Sequence, residues 1–102
     1  MKSVLLVCGT GASSGFMARN IRQAAKGQGK EVSVKARSDS ELDEYIEEID
    51  LLLVGPHLKY MLEDLKDEAK PYNVPVELIT EEAYGSLNGE AVLTQIEELI
   101  GL

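Results

Sequence analysis

The sequence has no tryptophan, one histidine and one cysteine. A lone cysteine cannot close an internal disulfide, and one cysteine with one histidine cannot supply the ligands of a structural zinc site. No metal and no cofactor is therefore expected, and a reducing compartment suits the thiol. Long hydrophobic runs are also missing. Nothing approaches the roughly 18 apolar residues needed to cross a bilayer. After Met1 and Lys2 the apolar stretch from Val4 to Val7 meets Cys8 and Gly9 at once, too short for the core of a secretory leader. The expectation is a cytoplasmic protein without direct membrane insertion. Basic residues are scarce: 10 Lys and Arg stand against 18 Asp and Glu, a formal charge of −8. Most of such a surface repels DNA or RNA, so nucleic acid is not expected as a partner.

What is present reads as one ordinary globular domain over residues 1–102, with 44% hydrophobic and 27% charged residues and neither repeat nor linker. Four apolar runs, Val4 to Val7, Val32 to Val34, Leu51 to Val54 and Val76 to Ile79, predict strands. The first and third are continuous rather than alternating, as strands covered on both faces are. Between them, Met17, Ile21, Ala24 and Ala25 recur with helical spacing. So do Leu42, Tyr45, Ile46 and Ile49; Leu58, Met61, Leu62 and Leu65; and Val92, Ile96, Leu99 and Ile100. A short extra helix is expected near Glu81 to Tyr84. Gly27 and Gly29 end the first helix, Ser38 or Ser40 can cap the second, and Pro71 stops the third.

Alternating strands and helices predict an α/β fold: a four-stranded parallel sheet, order 2-1-3-4, with helices on both faces, Rossmann-like. The order switches between strands one and three, and ligands in such sheets bind beyond the strands' carboxyl ends at that switch. Cys8 ends strand one and the loop from Gly55 ends strand three.

Residues 8 to 15 read C-G-T-G-A-S-S-G. Gly9, Gly11 and Gly15 let the backbone turn N–H groups inward, and Thr10, Ser13 and Ser14 add hydroxyls around Ala12. The next helix, expected to start near Ser13, adds its positive end. Such a cradle binds phosphate, and the same features are expected to lower the pKa of the Cys8 thiol. The loop fits neither G-x-G-x-x-G nor G-x-x-x-x-G-K-[ST], so nucleotide binding lacks support.

Small tyrosine phosphatases share this strand–loop–helix arrangement and carry C-x5-R, but here the sixth residue after Cys8 is Ser14, and Arg19 is the first arginine. Without an arginine fork the transition state for hydrolysis lacks its clamp. The site reads as one that holds a phosphoryl group for another acceptor.

V-L-L-V-C-G-T-G-A-S-S-G-F-M at 4–17, L-L-V-G-P-H-L-K-Y-M-L at 52–62 and Y-G-S-L-N-G-E-A-V-L at 84–93 resemble the cytoplasmic enzyme IIB component of the bacterial sugar phosphotransferase system, lactose/cellobiose (chitobiose) group. The resemblance covers nearly the whole chain. It implies that Cys8 is phosphorylated by a phosphohistidine of enzyme IIA, that 9–15 form the phosphate loop, and that the phosphate passes to a sugar held by the membrane channel, enzyme IIC. The sugar stays open among cellobiose, lactose, chitobiose and other β-glucosides. Two alternatives stand beside it: a low-molecular-weight cysteine phosphatase and a non-catalytic IIB-like interaction domain.

His57, after Gly55-Pro56, is a candidate accessory residue against the plainer reading of a solvated helix start. Tyr84 is a second, whose hydroxyl could reach the phosphate, against that of a half-buried packing aromatic. Tyr45 and Tyr60 fit helix faces as packing residues. Seven acids and no base lie from Ser38 to Asp50, a solvated face. Phe16 lies off the apolar stripe and with Arg19 forms a candidate docking edge for IIA and IIC, which Arg22 and Lys26 could extend. A monomer visiting two partners in turn is expected.

Overall fold

The computed structural model describes residues 1–8 and 12–102. Strands β1 (Lys2–Val7), β2 (Val32–Arg37), β3 (Leu51–Val54) and β4 (Val76–Leu78) pair in parallel in the order β2-β1-β3-β4. The helices are α1 (Ala12–Gly27), α2 (Leu42–Tyr45), α3 (Leu62–Ala69), α4 (Glu81–Gly85) and α5 (Gly89–Ile100). This is the expected α/β order, and β1 and β3 sit at its centre.

Strand alternation divides the core into two layers. Val4 and Leu6 of β1, with Cys8 just past its end, face Met17, Ile21, Val92, Leu93 and Ile96 from α1 and α5. Leu5 and Val7 face the other way, onto Leu42, Ile46, Leu58 and Leu65. Leu51 to Val54 are fully buried because β3 is covered on both sides. Cys8 thus extends the alternation of β1 into the α1/α5 layer.

Three local readings differ. The second helix shrinks to Leu42–Tyr45, preceded by a 3-10 turn, Asp39–Glu41, that Ser38 caps in a reciprocal box with Glu41. Glu47, Glu48 and Asp50 follow it, acids where a helix C-terminus repels negative charge. The third helix begins only at Leu62, because Pro56–Met61 form a 3-10 segment broken at Leu58 (φ −102°, ψ 20°). It ends at Ala69, ahead of a third 3-10 segment, Lys70–Tyr72, that holds Pro71 and closes on left-handed Asn73. Tyr60 therefore points outward, 80% exposed, and is not the packing residue its spacing suggested. β4 stops at Leu78, one residue short of the predicted strand, although Ile79 still donates its N–H to the Val54 carbonyl at 2.9 Å and is fully buried.

Candidate active site

Cys8 follows β1 directly, at the carboxyl edge of the sheet and beside the end of β3. Its side chain is only 3% exposed. The Sγ lies 3.1 Å from the Tyr84 hydroxyl. Tyr84 comes from α4, which Thr80 caps by accepting the Ala83 N–H at 3.1 Å. The cap fixes the start of a one-turn helix, and the phenol swings from it over the thiol. Tyr84 is buried, at 5% exposure.

Gly55 closes the pocket from β3. Its N–H donates to the Val7 carbonyl at 3.0 Å, continuing the β1–β3 ladder one step past the strand. A Cβ on Gly55 would stand 2.5 Å from the Cys8 Sγ and 3.6 Å from Tyr84 Cε2. Its φ of −66° and ψ of 148° suit any residue. Glycine is required there for room, not for conformation. His57, two residues on, is exposed and sets its ring edge-on to that of Tyr84, centroids 5.0 Å apart.

Burial pushes the Cys8 thiol above its ordinary pKa, outweighing hydrogen bonds from the Tyr84 hydroxyl and the Gly55 backbone that pull it down. This reverses the lowering expected from the loop. The sulfur is enclosed in an apolar layer, where the anion loses hydration. The reagent at rest is a thiol under a phenol.

The other predicted residues divide. Gly9, Thr10 and Gly11 lie outside the described residues. α1 begins at Ala12 rather than near Ser13, so 12–15 belong to its first turn, which carries no acidic residue. The first four N–H groups of a helix have no intrahelical acceptor. Ser14 is 5% exposed, whereas Gly15 is exposed with nothing within 4 Å of a Cβ built on it. Phe16 is 55% exposed and Arg19 is exposed on the same helix. Arg22 is turned away, donating to the Val34 carbonyl at 2.7 Å. Among the described residues no group of three or more His, Cys, Asp or Glu could hold a metal, and no helix is long and apolar enough to cross a membrane. The residue that sequence reasoning missed is Gly55, for which the G-P pair at the switch point was the available signal.

A lone thiol at the switch point of a small doubly wound sheet, ahead of the first helix, defines a class: α/β proteins whose site lies beyond the carboxyl ends of the central strands. Within that class the chain belongs to the family described as PTS system, lactose/cellobiose-specific IIB subunit, whose model matches residues 3–95. It is a phosphotransferase component of a sugar phosphotransferase system. It is 30% identical over 100 residues to the oligo-β-mannoside-specific EIIB component of Bacillus subtilis, covering 98% of this chain and 97% of that one. The solution structure of the cellobiose-specific IIB component from Borrelia burgdorferi matches with a TM-score of 0.75 and 31% identity, over 91% of this chain and 85% of that one. The lactose-specific IIB domain from Streptococcus pneumoniae superposes with a TM-score of 0.87 over 95% of each chain, at 17% identity, and shows the fold.

Proposed function

We propose that residues 1–102 form a single cytoplasmic IIB domain that carries a phosphoryl group on Cys8 from a phosphohistidine of enzyme IIA to a sugar bound by membrane enzyme IIC. The thiolate attacks phosphorus in line, histidine leaves, and a sugar hydroxyl later displaces the sulfur. Gly9, Thr10, Gly11, Ala12, Ser13, Ser14 and Gly15 cradle the phosphoryl oxygens through N–H groups and hydroxyls, with Tyr84 and His57 at the rim. Phe16 and Arg19 form part of the face that meets IIA and IIC. The observation that carries this reading is the placement of the chain's sole thiol at the end of central β1, ahead of a helix whose first turn has no acid. Such a site needs positioning and charge dispersal more than covalent help. The relatives are named for oligo-β-mannosides, cellobiose, galactose and lactose, and the sugar delivered on IIC is of that range.

The test is intact mass spectrometry after incubation with phosphoenolpyruvate, enzyme I, the histidine phosphocarrier and cognate IIA. Gain of one phosphoryl group, lost in Cys8→Ser, is the expected result. No gain with a demonstrably active donor overturns the proposal. Turnover of p-nitrophenyl phosphate that depends on Cys8 would point instead to a phosphatase.

A further inference from the structure

The carrier reading leaves open how the sulfur is released. A bond from sulfur to phosphorus breaks in each delivery, and the leaving atom is enclosed where no water reaches it freely. The one side-chain hydroxyl that the described residues place against that atom is Tyr84, 3.1 Å from Sγ. In the resting thiol either partner can donate. Once the sulfur is anionic it only accepts, so the phenol must be the donor.

We propose that Tyr84 is the leaving-group donor: its O–H donates a hydrogen bond to Cys8 Sγ that tightens as the S–P bond breaks. In phosphocysteine the sulfur carries two covalent bonds and accepts weakly. As the acceptor oxygen bonds to phosphorus, the S–P electron pair moves onto sulfur and a thiolate forms. The acceptor hydroxyl's proton passes to solvent water, and the phenol keeps its own. An interaction that grows with the charge on sulfur lowers the barrier rather than the ground state. Gly55 makes this possible, since any Cβ there would occupy the slot in which Sγ meets the phenol. The edge-on ring of His57 backs the tyrosine from the solvent side. The inference rests on the carrier reading for its reaction. Its central contact, phenol to thiolate, is testable without it.

Tyr84→Phe keeps the ring and removes the donor. Rates of Cys8 alkylation by iodoacetamide across pH, measured on the full chain, report the thiolate fraction. The midpoint is expected to rise by about one unit in Tyr84→Phe, a roughly tenfold loss of thiolate near neutrality, as befits a lost hydrogen bond to a charged group. Thermal unfolding should be changed little, which separates this from loosened packing. Where the phosphoprotein can be prepared, spontaneous loss of its phosphoryl group to water should slow about tenfold in the variant. An unchanged or lowered alkylation midpoint in a folded Tyr84→Phe protein overturns the inference. Failure of the wild-type chain to accept phosphate overturns the carrier reading, while the alkylation profile still decides the contact.

Discussion

At the scale of single residues, the site depends on what is small as much as on what is reactive. Cys8 and Tyr84 lie 76 positions apart and meet only because Gly55 lends neither of them a Cβ to avoid. Gly55→Ala puts a methyl group 2.5 Å from Sγ in a backbone conformation that alanine accepts readily. The strain falls on the cysteine side chain, which must rotate away from the phenol. We expect the variant to fold, with a stability loss of roughly 1–3 kcal/mol for overpacking. We expect phosphoryl acceptance by Cys8 to fall tenfold or more, because a displaced nucleophile loses its in-line approach. Denaturant titration and the rate of mass gain from phosphorylated IIA check the two halves. Full acceptance together with lowered stability would show that the slot matters for packing alone. None of this is legible from spacing. The sequence marks Gly55-Pro56 as a loop at the switch point, but a close approach between distant atoms leaves no periodic trace.

At the scale of elements, the helices and strands were written where a repeating face had to be buried. β1 and β3 show as continuous apolar runs because they are covered twice, and α1 and α5 show as stripes because they are covered once. What stayed illegible were the 3-10 segments at Asp39–Glu41 and Pro56–Met61, whose form is settled by caps and a proline rather than by apolar spacing. The Y-G-S-L-N-G segment gains a reason from packing. Gly89 opens α5 where it crosses α1 so closely that a Cβ would stand 2.3 Å from the Asn20 carbonyl oxygen and 2.7 Å from the Ile21 nitrogen. Asn20 in turn donates from Nδ2 to the Leu87 carbonyl at 2.9 Å, holding Leu87 in the left-handed region at φ 51°. Helix backbone cannot rotate out of the way as a side chain can. Gly89→Ala should therefore push α5 off α1 and cost at least the upper end of the roughly 1–3 kcal/mol usual for overpacking. Because Tyr84 lies on the element just before this junction, acceptance by Cys8 should fall as well. Guanidinium unfolding checks the first expectation, and a midpoint equal to that of the parent would refute the close crossing.

For the whole molecule, the consequence of burying one thiol is a pH dependence of stability. The charge of −8 is carried by side chains none of which is buried. Cys8 is different: its folded pKa lies above the ordinary thiol value because the apolar layer disfavours the anion. Folding therefore favours the protonated form. Below the unfolded pKa, about 8.5, both states hold the proton and stability is full. Above it the unfolded chain releases its proton first, binds fewer protons than the native one, and stability falls with rising pH. The slope from one group is at most about 1.4 kcal/mol per pH unit, and it ends once pH passes the folded pKa. The quantity to measure is the difference between the parent and Cys8→Ala, each unfolded in urea from pH 7 to pH 10. The parent should lose stability relative to Cys8→Ala as pH climbs past 8.5, and a difference that stays flat would mean that the sulfur is as well solvated in the native protein as in the unfolded chain.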